Sequence, residues 1–210
     1  MMNFLSELMG NLKNWHRRTL VLFLLLVSFQ ANAAELSVQV SDQAGNPLSN
    51  AVVYLETAGK SIGKSTTEAN VDQKNKQFSP MVSAVQVGTS VNFPNRDSVR
   101  HHVYSFSPAK TFELKLYSGV PAKPVIFDKP GTVILGCNIH DNMLAYIHVV
   151  DTPYFAVTDI NGIAKLTDLP TGQHVLKAWH YSTTKENFVL EQKVTVKAND
   201  TISIKLETKN

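Results

Sequence analysis

Leu36-Ser37-Val38-Gln39-Val40 alternates apolar and polar side chains, the period of a strand with one face on a core. Short β-branched runs recur at Ala51–Leu55, Val85–Phe93, Val125–Phe127, Thr132–Leu135 and Ala145–Val150, set apart by Gly, Pro, Asn and Asp. Helical periodicity is nearly absent after residue 34. The pattern predicts an all-β chain, with at least a dozen short strands, enough for two small sandwiches. Residues 59–70, rich in Ser, Thr, Lys and Gly, read as a linker, and Val150-Asp151-Thr152-Pro153 reads as a second boundary. A unit over 71–151 is therefore expected, flanked by 34–58 and 152–210.

Residues 1–33 break this pattern. Lys13, Arg17 and Arg18 precede the apolar run Leu20–Phe29, and Ala31-Asn32-Ala33 supplies small residues for cleavage. The segment reads as a signal peptide, with the mature chain starting near Ala34 and export to the periplasm expected. The run is short for a bilayer span, so no transmembrane segment is expected after cleavage, an uncleaved anchor being the other reading.

Composition narrows the class. At 43% hydrophobic and 18% charged residues, the 210-residue chain is neither disordered, collagen-like nor a polytopic membrane protein. Its formal charge of +3 falls to about +1 once Lys13, Arg17, Arg18 and Glu7 leave with the leader, which argues against a nucleic-acid surface.

Export changes the meaning of the one cysteine, Cys137, which has no partner within the chain for a disulfide. It is either a small buried hydrophobe or a ligand. Cys137-Asn138-Ile139-His140-Asp141-Asn142-Met143 puts a thiolate, an imidazole and a thioether at C-x2-H-x2-M, a spacing at which a compact loop can turn all three toward one point. Upstream, Val91–Val103 ends a strand, makes a polar turn through Asn95 to Arg100, and brings His101 and His102 to the start of the next strand. Adjacent strand residues point to opposite faces, so only one of the two faces a common site. His148, His174 and His180 stand at no ligand spacing and read as surface or satisfied core residues; Met81 and Tyr104 read as packing residues. No Ser-His-Asp order, phosphate loop or paired-carboxylate motif stands out.

Two family resemblances are carried by these motifs. Asp42-Gln43-Ala44-Gly45-Asn46-Pro47-Leu48 leading to Ala51–Leu55, and Thr158-Asp159-Ile160-Asn161-Gly162 leading to Leu169-Pro170-Thr171-Gly172, resemble the two halves of the carboxypeptidase regulatory-like, transthyretin-like sandwich. That likeness implies a discontinuous outer sandwich and no particular activity. Phe78-Ser79-Pro80, Val85–Phe93, Asn95, the Lys129-Pro130-Gly131-Thr132 turn and the Cys137–Met143 loop resemble, in order, the cupredoxins, the loop being most similar to that of amicyanin. Chains of this joint design are often labelled methylamine utilization proteins. The resemblance implies a Greek-key cupredoxin sandwich inserted in, or flanked by, the outer one. It implies one type 1 (blue) copper ion on His101, Cys137, His140 and Met143, with His102 at the position of an Asn that ties the ligand loops. Arg100 and His102 depart from the family's Pro and Asn.

The function so implied is a periplasmic electron carrier, not an enzyme, exchanging single electrons with a redox partner such as a cytochrome or dehydrogenase. His140 is expected to expose its ring edge beside Ile139 and Leu144. A copper storage or delivery protein using the same ligands is one alternative, and a structural β-sandwich module is another.

Overall fold

The computed structural model describes residues 34–57, 63–185 and 188–209. The signal-peptide reading of 1–33 and part of the linker reading, 59–62, lie outside them. The described chain is all-β, without a helix.

The strands are, in chain order, β1 (Ala34–Ser41), β2 (Val52–Thr57), β3 (Glu68–Asn70), β4 (Asp72–Lys74), β5 (Gln77–Ser79), β6 (Val82–Gln86), β7 (Ser90–Asn92), β8 (His101–Ser107) and β9 (Lys110–Tyr117). There follow β10 (Val125–Ile126), β11 (Gly131–Gly136), β12 (Leu144–Val150), β13 (Phe155–Val157), β14 (Ile163–Leu169), β15 (Gly172–Trp179), β16 (Val189–Val196) and β17 (Asp200–Lys205).

Sheet membership separates the two ends of the described chain from its middle. The sheet β14-β1-β17 and the sheet β13-β2-β15-β16 enclose one core that includes Leu36, Val38, Val53, Leu55, Leu166 and Leu176. The five-stranded sheet β6-β12-β11-β8-β9 and the small sheet β10-β7-β3 share another, with Phe93, Phe127, Val133, Leu135, Ile147, Cys137 and Met143. A third cluster joins them: Val52 and Tyr54 from β2, Trp179 from β15, and Val82 and Val150 from β6 and β12. β2 is thus apolar on both faces, which is why Ala51-Val52-Val53-Tyr54-Leu55 shows no alternation.

Two expectations need correction. Val85–Phe93, expected as one strand, is broken into β6 and β7, which lie in different sheets. Gly88 turns the chain at φ +98, a left-handed value open to glycine, and Thr89 N–H closes the turn on the Gln86 carbonyl at 3.0 Å. A Cβ on Gly88 would stand 2.5 Å from the Ser65 carbonyl oxygen, so the glycine also lets the preceding chain pack close. The described part of the stretch expected as linker accordingly packs on the sheet: Ser65 N–H donates to the Val87 carbonyl at 2.8 Å, and β3 pairs in parallel with β7.

Candidate metal centre

The C-x2-H-x2-M segment is the loop of a hairpin. β11 and β12 pair antiparallel out to Gly136 opposite Leu144, so Cys137 to Met143 close the end of the sheet. β8 runs antiparallel to β11, with Tyr104 opposite Gly136, and its first residue therefore arrives beside that loop. Topology alone brings His101 to a loop distant in sequence.

Ligand-capable atoms of His101, Cys137 and His140 all lie within 4.8 Å of one another. The two imidazole centroids are 5.0 Å apart, with planes at 62°. His101, Cys137 and Met143 are buried, and Cys137 and Met143 belong to the same apolar cluster. Met143 N–H donates to the His140 carbonyl at 3.0 Å, holding the loop compact. His140 is half-buried, and beside it in sequence Ile139 and Leu144 are 48% and 47% exposed.

Nδ1 of His101 and Nδ1 of His140 are both buried without a hydrogen-bond partner. Buried polar atoms are rarely left so, and two in one cluster with a thiol call for a ligand. A soft thiolate and two imidazoles make a donor set that suits copper, and Met143, buried in the same apolar cluster as Cys137, offers a thioether to it. The residues present therefore fit a copper ion.

His102 faces away from this cluster. Its Nε2 lies 2.8 Å from Glu113 Oε1 on β9, and its ring sits against Tyr104 at 5.6 Å. The register of β8 against β9 shifts between His101 and Val103, yet the two adjacent rings still part to opposite sides.

One neighbour was not singled out by sequence. Asp97 Oδ2 is 2.8 Å from His101 Nε2, and the carboxylate also accepts N–H bonds from Asn75 at 2.7 Å and Lys76 at 2.9 Å. The Lys76 bond, aided by those from His101 and Asn75 and opposed by desolvation, holds the Asp97 carboxyl below the usual range. The only sequence signal is an Asp four residues before a His within a polar turn. Asn95 shapes that turn: its side chain donates to the Val99 and Tyr117 carbonyls at 2.8 and 3.0 Å and accepts from Asp97 N–H at 2.9 Å.

The remaining histidines among the described residues are buried and lie outside the cluster. His148 packs on Trp179, His174 Nε2 lies 2.8 Å from the Pro170 carbonyl, and His180, just beyond β15, lies 2.8 Å from Ser182 Oγ. Met81, expected to pack, is instead 36% exposed, because it precedes β6 at the rim of the sheet.

The chain matches no protein-family model and no curated protein sequence. Among solved structures it is similar to a copper-containing nitrite reductase from Thermus scotoductus, at 22% identity over 54% of this chain and TM-score 0.37. The chain spans 28% of that enzyme's length. It is similar too to a purple cupredoxin from Nitrosopumilus maritimus, at 21% identity, 39% of this chain, 99% of that one and TM-score 0.35. An amicyanin from Paracoccus versutus shows 14% identity over 39% of this chain and 80% of that one, at TM-score 0.33. Likenesses at these scores assign neither a ligand nor an activity.

Proposed function

We propose that this chain is an exported, cupredoxin-like copper protein that carries single electrons, with His101, Cys137, His140 and Met143 as its ligands. The carrying observation is the convergence of His101, Cys137 and His140 within 4.8 Å, with both Nδ1 atoms buried and unpartnered. When bound there, copper supplies a one-electron couple.

The chain's own residues favour that use over substrate chemistry. Cys137 and His101 approach from two different strands of one sheet, so the donor atoms are held by the core and do not wait for an ion to gather them. Burial of Cys137 and Met143 keeps water from the interior side. A filled donor set leaves no position for a substrate, unlike a catalytic metal with an open site. His140, half-buried beside exposed Ile139 and Leu144, offers an apolar rim around an imidazole, suited to brief docking of a periplasmic redox partner such as a cytochrome or dehydrogenase. With a net charge near +1 after leader removal, long-range steering of that partner is weak.

The test is visible absorption of purified protein with added Cu(II), followed by reversible one-electron titration. An intense sulfur-to-copper charge-transfer band is expected, surviving dialysis and lost in Cys137→Ser. Persistence of the band in the serine variant refutes the ligand assignment, and loss of copper to a competing acceptor without reversible cycling refutes the carrier role.

A further inference from the structure

Asp97 is built into the site more firmly than a chance surface contact requires. We propose that it is a positioning residue: its carboxylate fixes the Nε2–H tautomer of His101, turns Nδ1 toward Cys137 and His140, and biases a bound copper toward its oxidised state. This rests on the copper reading above.

A neutral imidazole has one N–H and one lone-pair nitrogen, and a carboxylate only accepts. With Nε2 at 2.8 Å from Asp97 Oδ2, the proton of His101 belongs on Nε2 and the lone pair on Nδ1, the atom left buried and unpartnered. The tautomer is thus dictated by a neighbour within the chain.

Asp97 is itself immobilised. Asn75 and Lys76, the turn between β4 and β5, both adopt left-handed φ values, 56° and 55°, which bring their successive N–H groups onto the two carboxylate oxygens. Asp97 N–H bonds Asn95 Oδ1 from the other side. At 14% side-chain exposure the carboxylate is largely shielded, so its charge is screened less by salt than a surface charge would be.

The second imidazole has no such support. Among the described residues, histidine–carboxylate pairs are made by His101 and His102 but not by His140, whose ring is half-buried in the loop. The two histidines are therefore unequal donors. A carboxylate behind a metal-bound imidazole raises its basicity, and such partners typically alter metal affinity by about 10–100-fold. The effect is greater for the more highly charged oxidised ion, so it lowers the reduction potential.

The experiment has two arms. In metal-free full-length protein, long-range 15N–1H correlation of the histidine rings is expected to show His101 as the Nε2–H tautomer, with that preference lost in Asp97→Ala. In copper-loaded protein, Asp97→Asn is expected to shift the Cu(II):Cu(I) affinity ratio about tenfold toward Cu(I), a rise of about 59 mV for a one-electron couple. Asp97→Glu, which keeps the charge, is expected to recover at least half of that shift on a logarithmic scale. An Nδ1–H tautomer in the wild type overturns the proposal, as does an unchanged potential in Asp97→Asn with the charge-transfer band intact. Equal shifts in Asp97→Asn and Asp97→Glu overturn the role of charge. Absence of a charge-transfer band in the wild type is a failure of the copper reading instead, and the tautomer arm then decides the positioning role alone.

Discussion

His148 shows how a single side chain is redefined by what covers it. Its ring stacks on Trp179 at 4.8 Å and 17°, lies 5.5 Å from Tyr54, and its Nδ1 is 3.0 Å from Thr132 Oγ1. Burial pushes its pKa from 6.5 down to about 4. Unfolded, the ring takes a proton near its ordinary value; folded, it does so only near the lower one. Between these values the unfolded state binds more protons, so stability is complete above about pH 6.5 and is lost as pH falls toward 4. The loss at pH 5 amounts to about 2 kcal/mol. His180 is depressed as well, by burial opposed by the Ser49 carbonyl, so part of the slope belongs to it. Urea unfolding at pH 7 and pH 5 tests this: His148→Phe is expected to shrink the difference by about 2 kcal/mol. An unchanged difference would place the acid sensitivity on another residue.

Elements meet at Gly136, the last residue of β11. Along this strand Val133 and Leu135 are buried, while Ile134 and Gly136 take the other face, where Tyr104 of β8 lies opposite Gly136. A Cβ on Gly136 would stand 2.7 Å from both Cζ and Oη of Tyr104. Glycine avoids a conflict with an aromatic ring that crosses the strand immediately before the Cys137 ligand. Gly136→Ala should therefore cost about 1–3 kcal/mol, the usual range for overpacking. Removing the ring should remove the conflict, so the penalty for alanine is expected to fall sharply in a Tyr104→Ala background. A double-mutant cycle measured by thermal unfolding checks it, and strictly additive effects would show that the ring is free to move aside.

At the scale of the whole molecule, two sandwich-like cores are joined through a third apolar cluster. β2 serves the first core through Val53 and Leu55 and the seam through Val52 and Tyr54; β12 serves the second through Ile147 and Val149 and the seam through Val150. Trp179 of β15 reaches across the seam to β12, stacking on His148 and packing 5.9 Å from Tyr146, whose ring in turn stacks on Tyr181 at 5.2 Å. Trp179→Ala is expected to cost about 3–5 kcal/mol, as for other buried aromatic truncations. It should also return the His148 pKa toward 6.5, because the stacked indole is part of the burial that depresses it. NMR titration of His148 in the variant reads this directly. A pKa that stays near 4 would mean that Tyr54 and the sheet alone exclude water from the ring.

The sequence by itself determined the local features of this protein. Alternation and turn residues mark the all-β class, and C-x2-H-x2-M is legible because its three side chains share one hairpin loop whose spacing is carried by consecutive residues. Gly88 is visible in the sequence, but the left-handed φ that breaks the strand there is not. Only the tertiary structure decided the rest. His101 reaches Cys137 because β8 pairs antiparallel with β11, and Asp97 reaches His101 because the β4–β5 turn and Asn95 shape the intervening loop. Trp179 covers His148 because β15 and β12 face each other across the seam. Periodicity reports which face of a strand a side chain occupies, a property of neighbouring residues. What stands against that face is set by pairings between distant segments, and with it the burial, the tautomer and the charge that give the side chain its chemistry.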